Sequence, residues 1–180
     1  MVSHQTPRSG TNASSHIITA SSFQNLSANP NHPALLIYRS PFPPTITATQ
    51  IESHLSSLGL VSPQWRYTMY STSHFHSTSH EVLGISSGRA KLCFGHEENP
   101  KRVEETVEKG DVIIMPAGVA RRLLEDLEGG FEMVGCYPVG CSWDMCYGRA
   151  GEEGVEERIR GLGWFGRDPC YGDSGPVLEV

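Results

Sequence analysis

Three histidines and a glutamate crowd into eight residues at the start of HFHSTSHEVLGISSG, residues 74–88. On a strand, alternate side chains face the same way, so His74 and His76 offer two imidazoles to one surface. A turn before Glu81 can bring its carboxylate back beside them. The result is two nitrogens and an oxygen, a donor set that suits one divalent transition metal such as iron, manganese, nickel or zinc. His80 gives a second solution, because a slip of one residue would supply a third imidazole in place of the carboxylate. A histidine in such a group can equally move a proton as a general acid or base.

The elements that must position these residues are mostly short strands. From Trp65 to Tyr137 the chain runs through WRYTMY, HEVLGIS, AKLCFG, RVEETVE, DVIIMP and FEMVGCY. Between them lie Ser-Gly, Glu-Asn-Pro, Lys-Gly-Asp, Pro-Ala-Gly and Glu-Gly-Gly, all turn-forming combinations. This rhythm predicts an all-β sandwich or barrel. Leu35 to Tyr38, followed by SPFPP, predicts a strand at a sheet edge. Ile51, Leu55 and Leu58 lie at helical spacing and Gly59 stops them, which predicts a helix over 47–58. The charge-rich 152–160 predicts a second, solvated helix, and RDPCYGDSGPVLEV predicts an irregular strap over the barrel.

A second chemical stretch follows in GDVIIMPAGVARR, residues 110–122, where Gly110 begins a tight turn and Pro116-Ala117-Gly118 makes another. The two stretches, in this order, resemble the two motifs of the cupin superfamily. The first matches as His74-x-His76, four residues, Glu81, six residues, Gly88, without the glycine that usually precedes the first histidine. The second matches at Gly110, Pro116 and Gly118. Three residues beyond that last glycine, where metal-binding cupins carry a further histidine ligand, this chain has Arg121. The longer run PQWRYTMYSTSHFHSTSHEVLGISSG, with PAGVA and DPCYG, is similar to the YjlB-type single-domain cupins from about residue 34 to the C-terminus. The resemblance implies a double-stranded β-helix, the jelly-roll barrel of the RmlC-like proteins, with one or two short flanking helices. It also implies a homodimer and a metal held inside the barrel by the first-motif residues.

Arg121 opens three outcomes, because a guanidinium has no acceptor and keeps its proton, so it cannot be a ligand. His74, His76 and Glu81 could hold the metal while Arg121 clamps an anionic group of a small-molecule substrate. His80 could join as an additional ligand or act as the acid or base. Alternatively the metal is gone, Arg121 pairs with Glu81, and the polar cavity works by acid/base catalysis or binds an anionic metabolite without turnover. The leading expectation is a metal-dependent small-molecule enzyme of oxygenase, isomerase or decarboxylase type, with catalytic roles for His80 and Arg121.

The whole chain sets bounds on these readings. Its 180 residues suit one ordinary domain. Residues 1–32, rich in Ser, Thr, Asn and His, predict a flexible tail ahead of a cupin domain over 33–180. The formal net charge of −6 gives no basic footprint for nucleic acid or an anionic membrane surface. No stretch approaches the length of a membrane span or the apolar core of a signal peptide, which predicts a cytoplasmic protein. Its five cysteines then read as thiols and not as a disulfide framework. Trp65, Tyr67, Met69 and Phe94 read as core more readily than as pocket, and Trp143 and Asp144 as candidates for the barrel mouth.

Overall fold

The computed structural model describes residues 33–180 and the backbone of His16–Ile18. Among the described residues nine strands form two antiparallel sheets. β1 (His16–Ile18), β2 (Leu35–Tyr38), β3 (Val61–Tyr67), β4 (Glu81–Ser87), β7 (Val112–Met115) and β9 (Glu132–Pro138) make a six-stranded sheet in the order β1-β2-β7-β4-β9-β3. β5 (Arg89–Phe94), β6 (Val103–Glu108) and β8 (Arg121–Asp126) make a three-stranded sheet in the order β6-β5-β8. The remaining part of the expected tail over 1–32 lies outside the described residues.

The larger sheet is covered on both faces, which is why its strands read as continuous apolar runs. Leu35, Ile37, Leu83, Ile85, Ile113 and Met133 point inward and pack with Leu92, Phe94 and Val107 of the smaller sheet. Leu36, Tyr38, Val82, Ile114 and Val134 point outward and meet α1 (Ala48–Ser57) and the C-terminal segment through Ile51, Leu55, Cys170 and Val177. The helix starts where Thr47 caps it with a capping box to Gln50, and Gly59 follows its end at φ +70°. α1 lies so close on β4 that a Cβ on Gly84 would sit 2.5 Å from Ile51 Cγ2. The C-terminal strap is fixed by Asp168, whose carboxylate accepts from Tyr38 Oη at 2.6 Å and from Cys170 N at 2.8 Å.

Three expectations shift. Leu35–Tyr38 is not an edge, since β1 pairs with its outer side and β7 with its inner side. The strand expected at WRYTMY begins earlier, at Val61, and β3 is itself the edge that tolerates Pro63. A register shift between Pro63 and Trp65 marks a bulge that sets Trp65 opposite Gly135 and Tyr67 opposite Met133. β8 carried no clear strand signal, because RRLLED is charged at both ends; pairing with β5 makes it a strand. α2 (Val155–Arg160) falls inside the charge-rich segment. Among the described residues no helix is long and apolar enough to cross a membrane.

Candidate functional site

A cavity of about 210 Å³ opens between the sheets, lined from β3, β4, β8 and β9 and by the flanking segments 68–76 and 143–145. The H-x-H segment reaches it without being a continuous strand. His74 exchanges both backbone hydrogen bonds with Arg121, at 3.2 and 2.9 Å, while Phe75 exchanges both with Cys146, each at 2.9 Å. Anchored on two sides, the segment keeps strand-like alternation: His74 and His76 line the cavity, and Phe75 packs away from it with Ala117, Val155 and Ile159.

The chain then turns at Ser77 to Ser79, and Asp144 holds that turn. Its carboxylate accepts from Ser77 N at 2.7 Å, Ser77 Oγ at 2.5 Å and Thr78 N at 3.3 Å. Burial alone would raise the Asp144 carboxyl, but these donors and Cys146 Sγ outweigh it and hold it down at about 2. The Asp144 backbone carbonyl accepts from His76 Nδ1, and Thr72 O accepts from His74 Nδ1 at 2.9 Å. Carbonyls only accept, so both rings carry a proton on Nδ1. Burial first, and then the Arg121 charge, lowers His74 to about 4 and keeps it neutral.

Glu81 is the centre of the cluster and is fully buried. Its Oε2 accepts from Arg121 Nη2 at 2.5 Å. Its Oε1 accepts from Tyr137 Oη and lies 3.2 Å from His76 Nε2. Burial would raise this carboxyl, yet the Arg121 cation, His76 and the Tyr137 hydroxyl together bring it to about 2, so it stays ionised. Burial and the Glu81 charge push the Tyr137 phenol far up, so it stays a donor. His76 Nε2 faces Glu81 Oε1 and lies 3.4 Å from Tyr137 Oη. Among the described residues the Arg121 guanidinium makes one hydrogen bond, which leaves donors directed to the cavity.

His80 does not join this group. With Glu81 facing inward, its neighbour on the strand must face outward. There His80 packs edge-on against Trp164, with ring centroids 4.9 Å apart, and its Nδ1 accepts from Ala117 N at 3.0 Å. The break at Ser77 to Ser79 changes the parity, so the structure does not bring His80, expected as a fourth ligand or an acid/base, together with His74, His76 and Glu81, and sets it against Trp164 and Phe165.

The sequence did not single out Tyr137. It lies on the cavity side of β9, two positions beyond Gly135 and four beyond Met133. The alternation in FEMVGCY groups these residues, but nothing in the sequence says which face looks inward. Tyr137 Oη also accepts from Trp65 Nε1 at 2.8 Å. Gly135 permits this, since a Cβ there would lie 2.0 Å from Trp65 Cε2. Trp65, Tyr67, Met69 and Trp143 line the cavity, whereas Phe94 is wholly in the core.

The three expected ligands do not fit a divalent ion as they stand. Glu81 is the only carboxylate among the lining residues, and both of its oxygens are engaged. Its charge is already matched by a buried guanidinium, so two further positive charges would lack a counter-charge in a poorly solvated site. Among the described residues no three His, Cys, Asp or Glu side chains converge to hold a metal ion.

No family model matches the sequence. The uncharacterized protein YjlB of Bacillus subtilis (strain 168) is 30% identical over 154 residues, covering 84% of this chain and 88% of that protein. Among solved structures, an oxalate decarboxylase from Lactobacillus farciminis in a formate complex is 11% identical over 63% of this chain, with TM-score 0.36; the match spans 25% of the decarboxylase chain. RmlC from Streptococcus suis in complex with dTDP-D-xylose is 13% identical over 59% of this chain and 65% of its own, with TM-score 0.37. A vicilin from Corylus avellana is 21% identical over 74% of this chain and 37% of its own, with TM-score 0.36. The identity to YjlB along most of both chains, on an antiparallel jelly roll with its histidines in the barrel, places this chain in the family of YjlB-type single-domain cupins.

Proposed function

We propose that the barrel cavity is an acid/base site for a small anionic substrate, of the isomerase, cyclase or decarboxylase type. The observation that carries this reading is the buried Arg121–Glu81 pair at 2.5 Å, with Tyr137 and His76 on the other carboxylate oxygen. The ion pair replaces the charge that a metal would bring, and it leaves guanidinium donors for a substrate. Reactions of these types pass through a carbanion or enolate. Arg121 supplies a fixed positive charge where that negative charge develops, and His76 exchanges the proton through Nε2. Glu81 and Tyr137 orient the His76 ring. His74, neutral at neutral pH, adds a second imidazole to the cavity wall without adding charge.

The test is a screen of small keto and hydroxy acids in D2O by proton NMR, with protein treated with a chelator. The expected result is conversion or deuterium incorporation that resists chelation and is lost in His76→Ala. Turnover that returns only with added metal, or that persists in His76→Ala, would overturn the assignment.

A second reading, a metal held by His74, His76 and Glu81, is favoured by one observation. Both Nδ1 atoms are tied to backbone carbonyls, the arrangement that presents Nε2 lone pairs to a metal. It requires Arg121 to release Glu81, and the bound ion would then supply Lewis acidity.

A further inference from the structure

The cavity is strongly sided. Five of its charged and hydrogen-bonding groups, Arg121, Glu81, His74, His76 and Tyr137, are buried together at one end, while Arg66, exposed and paired with Glu52, and Thr68 also line it. The apolar part of the wall is soft: Met69, Met133 and Met145, three of the five methionines in the chain, line it together with Leu83. Thioethers adapt to a ligand's outline and make favourable contacts with ring edges.

Aromatic rings lead from the mouth to the charged end in two files. In one, Tyr67 and Tyr70 lie 5.7 Å apart by ring centroid, and Tyr70 stands edge-on to His74 at 5.5 Å. In the other, Trp143 lies 5.7 Å from His76, which lies 5.7 Å from Tyr137. Tyr67, Tyr70 and Trp143 remain 54%, 51% and 43% exposed. Large aromatic side chains left open at a cavity mouth are unusual on a soluble surface unless something covers them. The volume of about 210 Å³ lies below the ~300–1,000 Å³ of pockets for drug-sized ligands, which suits a single ring.

We propose that the ligand of this cavity is a flat aromatic or conjugated ring bearing one carboxylate, with the carboxylate on Arg121 and the ring among Trp143, Tyr70 and the methionines. This rests on the reading of Arg121 as an anion anchor and adds the identity of the remainder of the molecule. Acetate would satisfy the guanidinium and leave the rings uncovered. A sugar would set hydroxyls against Met69, Met133, Met145 and Leu83, which offer them no partners.

The experiment is calorimetric titration of the full chain with four probes: benzoate, cyclohexanecarboxylate, benzamide and acetate. Benzoate should bind about tenfold more tightly than each of the others, since stacking and the charged contact each contribute a factor of that order. Trp143→Ala, at an exposed position, should remove most of the advantage of benzoate over cyclohexanecarboxylate and leave acetate unchanged. Arg121→Gln should remove the advantage of benzoate over benzamide. Equal binding of all three carboxylates would overturn the ring assignment while leaving the anion anchor standing. Benzamide binding as well as benzoate to the wild type, or no carboxylate binding at all, would overturn the anchor and this inference with it.

Discussion

Removing the guanidinium from the cavity should be costly in a way that removing the whole pair is not. In Arg121→Leu, Glu81 stays buried without a cation. Loss of one partner of a buried pair costs about 3–5 kcal/mol. For a chain of this size each kcal/mol shifts Tm by about 2–4 °C, so the single variant should melt about 6–20 °C lower. The double variant Arg121→Leu/Glu81→Leu buries no orphaned charge and should recover most of that loss. The dependence on pH separates the two further. In the wild type the Glu81 carboxyl lies below its unfolded value, so its contribution is present above about 4.5 and is lost as pH falls toward 2. In Arg121→Leu burial dominates and raises the same carboxyl, so the destabilisation grows as pH rises through 4.5 and shrinks in acid. Thermal melts of wild type, Arg121→Leu, Glu81→Leu and the double variant between pH 4 and 8 give the full cycle. Arg121→Leu melting with the double at every pH would refute the reasoning.

Three other outcomes follow from the same geometry. Asp144→Asn should loosen the Ser77 turn, costing about 1–2 kcal/mol; it should also remove a stability term that in wild type persists above pH 3.8 and is lost as pH falls through about 2, read from urea melts. His80→Ala should lower Tm through lost packing on Trp164, yet leave ligand affinity in the cavity unchanged by calorimetry. Gly135→Ala should drive Trp65 off the strand and away from Tyr137, costing about 1–3 kcal/mol of overpacking and shifting the tryptophan emission.

The legible parts of this molecule are those fixed by local rules. Ile51, Leu55 and Leu58 mark α1 by their helical spacing and Gly59 marks its end, because both signals are local. The inward pair His74 and His76 follows from period-two alternation, and the two cupin-like motifs place Glu81 and Arg121 on facing sheets. What stayed illegible depended on distant partners. β8 is a strand because β5 lies beside it, and β2 has a neighbour on each side because β1 folds back along it. His80 faced outward because Asp144, 64 positions further along the chain, shapes the turn that precedes Glu81. Tyr137 enters the cluster because Gly135 lets Trp65 lie flat over β9, a contact between two strands that no single stretch of sequence records.

The central claim is that Arg121 occupies the electrostatic place of a metal, and the metal content of the untagged protein tests it most directly. Plasma mass spectrometry of wild type, His76→Ala and Arg121→His, each after reconstitution with iron, manganese, nickel and zinc in turn, gives the answer. The account predicts far less than one equivalent in wild type and His76→Ala, and a gain in Arg121→His, where a third imidazole replaces the guanidinium and frees Glu81. About one equivalent in wild type, lost in His76→Ala, would contradict it and establish His74, His76 and Glu81 as a metal centre.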